Sequence, residues 1–423
     1  MRVTILTLGT RGDVQPYVAL AKELINNGHE THICTGKTFK KFIEGNGVSF
    51  REAAADLMAI LESEEGRKVF KGGRYNIIKM LKFAKEVINP AYKKSLEDFL
   101  EASRDADLII YHPKALGAVD IADYLNIPCI SMPPVPIMYP ITEFPNLAMF
   151  PNKNLGAFLN KLTYKPISLA ESSNIEDINE FRSKSLKLPK RKSGALMFQR
   201  SGKNIPIIYP VSPFLFKEVT SWKDRVYIPG FFYLDVEETL DENIQKFLEA
   251  GEKPIVISFS SMPLKNPIVF KDNLMKALKE TNNRAVVLTG ISGMTFDEEE
   301  NILGIDKAPH RLIFKEAKGI IHHGGVGTMS EALLSGVPQL IIPFSVDQPF
   351  WAQLLYSKGY AIKPLREKNL QITDLVKALK EMENEKYINN AKDIKKIIEA
   401  EKGIQNAVKY IEKIYQDRSW SFA

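Results

Sequence analysis

The stretch from Gly319 to Trp351, GIIHHGGVGTMSEALLSGVPQLIIPFSVDQPFW, constrains this chain more than any other. A short apolar strand (Ile320, Ile321) runs into two histidines and a glycine loop, then a helix, then a second apolar strand from Leu340 to Ile342. That order is half of a doubly wound α/β fold. Met329, Ala332 and Leu333 recur at helical spacing and are expected to face the sheet, with Glu331 on another face; Gly336 and Pro338 stop the helix. Gly324, Gly325 and Gly327 let a ligand approach the backbone, and the helix start points free N–H groups at an anion. Asp347 and Gln348 follow the next strand at its carboxyl end, where open α/β sheets bind ligands.

A pyrophosphate at the helix start, a carboxylate one turn along and an Asp-Gln pair for hydroxyls together suit a nucleotide sugar. The plainer alternative is an ordinary strand-loop-helix with a glycine turn.

The N-terminus repeats this grammar: strand Val3 to Leu8, loop GTRGDVQ, a helix from about Pro16 to Asn26, Gly28 as stop, and strand Thr31 to Thr35. Pro16 is expected in the first helical turn, where its missing N–H costs nothing. The glycine spacing is not that of a dinucleotide fingerprint, and Thr35 and Gly36 stand where a ribose-binding acid belongs, which argues against an NAD enzyme. Asp13, after the first strand, is the candidate general base, although an aspartate there also suits a helix cap, whose N–H groups would weaken it as a base. His112 ends a strand in YHP and can assist Asp13 or touch an acceptor. His29 reads as structural.

Further along, strands are expected at Leu108 to Tyr111 and Cys129 to Met132, followed by the proline-dense PPVPIMYPITEFP. That loop hangs at a strand's carboxyl end and excludes helix and central strand; Pro133 and Met138 are its candidates for the acceptor side. The span from Glu62 to Leu100 is helical and basic, with Ile77, Leu81, Ala84 and Ile88 on one face between Lys79, Lys82 and Lys85; it reads as a solvated face or a membrane-surface contact. The second half continues with strands at Ile255 to Phe259, Ala285 to Leu288, Leu312 to Phe314, Ile320 to His322 and Leu340 to Ile342.

With 423 residues, 44% hydrophobic and 26% charged, two ordinary globular domains are expected. The net charge of +6 suits anionic ligands or a membrane surface, and nucleic acid is not expected as a partner. Cys34 and Cys129 lie in apolar strands and read as buried free thiols, which fits a reducing cytoplasm. No stretch approaches the ~18 apolar residues of a membrane span, so the chain is expected to be cytoplasmic, with peripheral membrane contact as the alternative. No zinc-ligand spacing occurs: His322 and His323 are adjacent and diverge, while Asp105-x-Asp107 and the run Asp297 to Glu300 read as solvated charge. No G-x-S-x-G elbow is present.

The Gly319 to Trp351 stretch resembles the signature of the family 1 glycosyltransferases, which have the two-domain GT-B fold, and GTRGDVQPYVALAKEL resembles their bacterial and sterol glucosyltransferase branches. The resemblance implies two Rossmann-like doubly wound domains facing across a cleft. Residues 1–210 would bind the acceptor, 211–231 link, and 232–405 bind the donor, with a helix over 406–423 packing back on the first domain. It places His323 on the donor phosphates, Gly325, Val326, Gly327 and Thr328 in the phosphate loop, and Glu331 on the ribose hydroxyls. Asp347 and Gln348 would hold the sugar, Ser261 would reach the phosphates, and Gly12 and His310 also belong to the donor side. Asp13 stands where many members carry a histidine. Two departures are Ser260, where Gly is common, and Leu312, where a tryptophan often stacks on the base.

The implied reaction is inverting, metal-independent transfer of a hexose, glucose foremost, from a nucleotide diphosphate sugar (UDP-glucose, or a dTDP-sugar) to a hydroxyl of an apolar acceptor such as a sterol, lipid, polyketide or flavonoid. No further cofactor is implied, and a monomer or weak dimer is expected. The competing readings are a nucleotide-sugar epimerase of the same fold and a catalytically silent sugar-nucleotide-binding protein.

Overall fold

The computed structural model describes residues 1–70, 79, 82–151, 153–235, 238–259, 264–296 and 301–417. The chain forms two compact units. The first comprises Met1–Asn146, Asn154–Val236 and Lys402–Ala423; the second comprises Leu147–Lys153 and Glu237–Glu401.

The first unit is built on a seven-stranded parallel sheet: β1 (Arg2–Leu6), β2 (Glu30–Thr35), β3 (Ser49–Glu52), β4 (Leu108–Tyr111), β5 (Cys129–Ser131), β8 (Ile207–Ile208) and β9 (Val226–Tyr227), after a small hairpin of β6 (Gln199–Arg200) and β7 (Lys203–Asn204). The order is β3-β2-β1-β4-β5-β8-β9, so the direction of winding reverses between β1 and β4. Alternate residues of β1 enter two separate cores. Val3 and Ile5 pack with Tyr17, Leu20 and Leu24 of the first helix, whereas Leu6 packs with Phe99 and Ile121 on the opposite face. Burial on both faces is why these strands read as continuous apolar runs. The final helix, Gly403–Gln416, places Ala407, Val408 and Ile411 in the first of these cores, and Tyr410 stacks on Tyr227 at 4.3 Å. Residues 211–231 contribute β9 and two short 3-10 turns to this unit.

The second unit holds a five-stranded parallel sheet in the order β12-β11-β10-β13-β14, from β10 (Ile255–Ser258), β11 (Ala285–Leu288), β12 (Ile302–Ile305), β13 (Gly319–His322) and β14 (Gln339–Ile341). Its winding reverses between β10 and β13. Both sheets therefore have the switch point at which doubly wound folds bind ligands.

Two local readings are corrected. The first helix begins at Arg11, so Pro16 lies inside it rather than in its first turn. The expected strand at Leu312 to Phe314 is a helical turn, His310–Ile313, continued as a 3-10 turn; a three-residue apolar run does not distinguish the two. The strand in that region is β12, whose sequence ILGI is weakened by its glycine and by its edge position. In the basic span, Ile77 and Leu81 fall outside the described residues, while Lys79, Lys82 and Lys85 are exposed. Among the described residues no helix is long and apolar enough to cross a membrane.

Candidate active site

In the first unit, β1 ends at Leu6 and the loop Thr7 to Thr10 turns the chain into the first helix. Asp13 occupies the third helical position, and its carboxylate reaches back over the turn. Its Oδ2 accepts the Thr10 N–H at 2.8 Å, the Thr10 hydroxyl at 3.1 Å and Lys114 Nζ at 2.9 Å; Oδ1 faces His112 Nε2 at 3.1 Å. Gly9, at φ +142°, makes room for this, because a Cβ there would stand 2.2 Å from Asp13 Oδ2. His112 follows β4, the strand beside β1 at the switch point, so two loops far apart in sequence meet by topology. The Lys114 backbone N–H donates to His112 Nδ1 at 2.9 Å, which fixes the tautomer: Nε2 carries the proton and donates to Asp13. With both ring nitrogens committed, His112 orients the carboxylate and offers no lone pair of its own.

The nearby loop is tied to the same place, since the Tyr17 hydroxyl donates to the Met132 carbonyl and the Tyr17 ring lies 6.1 Å from that of His112. Pro133 is buried directly after Met132, and Met138 is half-buried further on. Gly12 is exposed beside Asp13.

In the second unit, β13 delivers His322 and His323 to the switch point. His322 is structural: its Nδ1 accepts the Gly324 N–H at 3.1 Å and its Nε2 pairs with Gln339 Oε1 at 2.8 Å. His323 is buried with its Nδ1 unpartnered. Gly325 is required by the His323 ring, whose Nε2 would lie 2.4 Å from an added Cβ, while at Gly327 a Cβ would meet nothing within 4 Å. The helix Val326–Ser335 begins here, its first bond running from Met329 N to Gly325 O. The N–H groups of Val326, Gly327 and Thr328 are left without intrahelical acceptors beside the His323 ring, whose Nε2 faces Gly325, a combination that fits a phosphate.

Gly324, at φ +89°, lies against Gln348, which brings the glycine loop beside the turn after β14. There Gln348 Oε1 accepts the N–H groups of Phe344 and Ser345 at 2.8 and 3.2 Å, turning its amide nitrogen out as a donor. Asp347 accepts from the buried Trp351 Nε1 at 2.7 Å. Val346, just before them, holds φ +57°, a costly conformation for a β-branched residue and one that concentrates at ligand sites. His310 bonds Ser258 Oγ at 2.9 Å and stacks on Phe314. Glu331 is gripped by Arg311 through two bonds, Nε to Oε2 at 2.6 Å and NH2 to Oε1 at 2.9 Å. Ser260 and Ser261 lie outside the described residues.

Residues 3–130 match the glycosyltransferase family 28 N-terminal domain, and residues 287–414 match the erythromycin biosynthesis protein CIII-like C-terminal domain. Two sterol 3-beta-glucosyltransferases of Arabidopsis thaliana are 31% and 30% identical over 420 residues, covering 97% and 96% of this chain. One from Yarrowia lipolytica is 29% identical over the whole chain. The chain spans 65% and 67% of the two plant proteins and 29% of the fungal one. Among solved structures, the glycosyltransferase of kitacinnamycin superposes with a TM-score of 0.72 at 16% identity, covering 97% of this chain and 98% of that one. VinC, in complex with dTDP, gives 0.67 at 18%, covering 98% of this chain and all of that one.

The chain belongs to the family 1 glycosyltransferases of GT-B fold.

In this chain the residue clusters of the two units differ in charge. Burial alone would raise the Asp13 pKa, but the His112 hydrogen bond and the Lys114 charge outweigh it and hold the carboxylate well below its usual range. His112 is lowered by burial, against the pull of Asp13, and is neutral. Burial lowers His323 to about 4, the Ser258 backbone acting in the opposite sense, and His322 to about 3. Sequence reasoning missed Lys114 and Arg311. Lys114 had a usable signal, two residues beyond the strand-ending histidine; Arg311 had none, because its partner lies 20 residues away on another helix.

Proposed function

We propose that this chain is an inverting, metal-independent glucosyltransferase acting from a nucleotide diphosphate glucose, UDP-glucose foremost, on a hydroxyl of an apolar acceptor of the sterol class. Sugar and acceptor class rest on the names of the plant and fungal relatives; a dTDP-sugar is the alternative donor. The observation that carries the mechanism is the His112 tautomer, because it keeps Asp13 a carboxylate and leaves lone-pair capacity on Oδ1.

Asp13 Oδ1 takes the proton of the acceptor hydroxyl. The acceptor oxygen bonds the anomeric carbon from the face opposite the leaving group, and the bond from that carbon to the diphosphate oxygen breaks with its electron pair leaving on the diphosphate. A base this weak accepts the proton late, once the oxygen has begun to bond carbon and has become acidic. The N–H groups of Val326, Gly327 and Thr328, with the His323 ring beside them, receive the diphosphate charge. Glu331 serves the ribose hydroxyls, and Asp347 and Gln348 the glucose hydroxyls.

A mass-spectrometric screen of UDP- and dTDP-sugars against sterols and other apolar alcohols tests this. Glucosylated sterol is expected with UDP-glucose, with kcat reduced by ~10²–10⁴ in Asp13→Asn. Full rate in that variant removes Asp13 from the role, and donor turnover without acceptor favours the epimerase.

A further inference from the structure

The first unit carries a cavity of about 690 Å³ between the proline-rich loop, the turn before β9 and the helix Ala157–Leu162. Lys161, Lys223 and Arg225 line it, and among its described lining residues there is no acid. None of the three cations is paired with a carboxylate among the described residues; Arg225 lies over the Tyr139 ring at 5.4 Å. Tyr139 and Phe198 form an aromatic wall, edge to face at 5.7 Å, and Thr142 and Ser221 add hydroxyls. Lys223 is held at φ +33°, strain of the kind the surroundings must impose. Glu143, beside the cavity, keeps its negative charge but directs its oxygens to the N–H groups of Thr220 and Ser221 and the hydroxyls of Thr142 and Thr220 rather than to the three cations.

The helix at the rim is inside out. Asn160 is its buried residue, donating to the Thr142 carbonyl at 2.8 Å and accepting the Leu155 N–H at 3.0 Å. Phe158, Leu159 and Leu162 are 79%, 48% and 38% exposed, and Leu169 beyond them 62%. Asn160 thus clamps the helix to the cavity with its apolar side chains facing water, an arrangement the hydrophobic effect opposes in an isolated protein. Cations lining a cavity, beside a helix that shares Lys161 with it and exposes apolar side chains, match a phosphate attached to acyl chains.

We propose that this face docks on an anionic phospholipid surface, with a headgroup phosphate held by Lys161, Lys223 and Arg225 and acyl carbons against Phe158, Leu159 and Leu162. The inference deepens the reading of an apolar acceptor, by saying where the enzyme meets a membrane-borne one, and rests on that reading only for this last point. Binding measured without donor or acceptor keeps the two separable.

The full chain is sedimented with phosphatidylcholine vesicles, with and without phosphatidylserine. Retention is expected on the anionic vesicles, falling about fivefold for each of Lys161→Gln, Lys223→Gln and Arg225→Gln, and about a hundredfold for all three. Phe158→Ser with Leu162→Ser should weaken binding by about tenfold or more, with circular dichroism confirming that these surface variants keep the fold. Equal retention on neutral and anionic vesicles overturns the proposal, as does a triple variant that sediments like the native chain. Saturable binding of glycerol 3-phosphate without vesicle retention overturns it too, assigning the cavity to a soluble phosphate.

Discussion

Replacing His112 by alanine separates an orienting histidine from a basic one. The Asp13 carboxylate is met by four donors, and His112 Nε2 supplies the one on Oδ1. A hydrogen bond to a charged group contributes ~1.5–3 kcal/mol. One pKa unit corresponds to ~1.4 kcal/mol, so losing that bond raises the Asp13 pKa by about one to two units. Lys114 compensates little, since its side chain is 44% exposed and solvent screens it. The assay is kcat/KM against pH. In the native chain the acidic limb should lie below the ordinary carboxylate range, and in His112→Ala it should move up by about one to two pH units. Because Asp13 is depressed in the folded state, its stabilisation is fully present above the unfolded value of about 4 and is lost as pH falls below it; the variant therefore starts less stable at neutral pH and loses less on acidification. A native limb near the imidazole value of ~6.5 that disappears in the variant would assign proton transfer to His112 and refute the reasoning.

Three further outcomes are expected. Gly9→Ala drives its Cβ into the Asp13 carboxylate, so transfer should fall about tenfold or more, whereas Gly28→Ala, at φ +80° with nothing within 4 Å, should cost only stability, ~1 kcal/mol; equal activity in the two variants contradicts the packing argument. Arg311→Gln releases Glu331 from its two-bond grip, and calorimetric titration with UDP should show affinity weakened about five- to tenfold; unchanged or tighter binding means that Arg311 does not position Glu331 for the ribose. His322 and His323 stay neutral when folded down to about 3 and about 4, while unfolded imidazoles protonate from about pH 6.5. Stability is therefore full above about pH 6.5 and falls as pH drops towards 4, with His32 and His112 acting in the same sense. The melting temperature should follow, and His322→Gln should reduce the proton uptake on unfolding by about one; a flat profile from pH 6.5 to 5 contradicts it.

What the sequence determined by itself is whatever rests on local pattern. Strands Leu108–Tyr111 and Ala285–Leu288 could be read to the residue because both faces are covered, so every position is apolar. The glycine loop after β13 and its helix followed from φ requirements and caps that short segments specify, as with Gly336 in the left-handed region at the helix end. Where a segment was short and apolar, as at Leu312 to Phe314, only packing chose between helix and strand. The tertiary structure alone decided how Asp13 is held. Lys114 and His112 reach it because β4 lies beside β1 in the sheet, and the tautomer of His112 follows from a backbone N–H two residues further on. It also decided that Glu331 is shared with Arg311 and that a short helix turns its asparagine inward and its phenylalanine out. Such pairings carry no local signature, since they depend on which loops the order of strands brings to one edge, and that order is set by the burial of whole sheets rather than by any residue in the site.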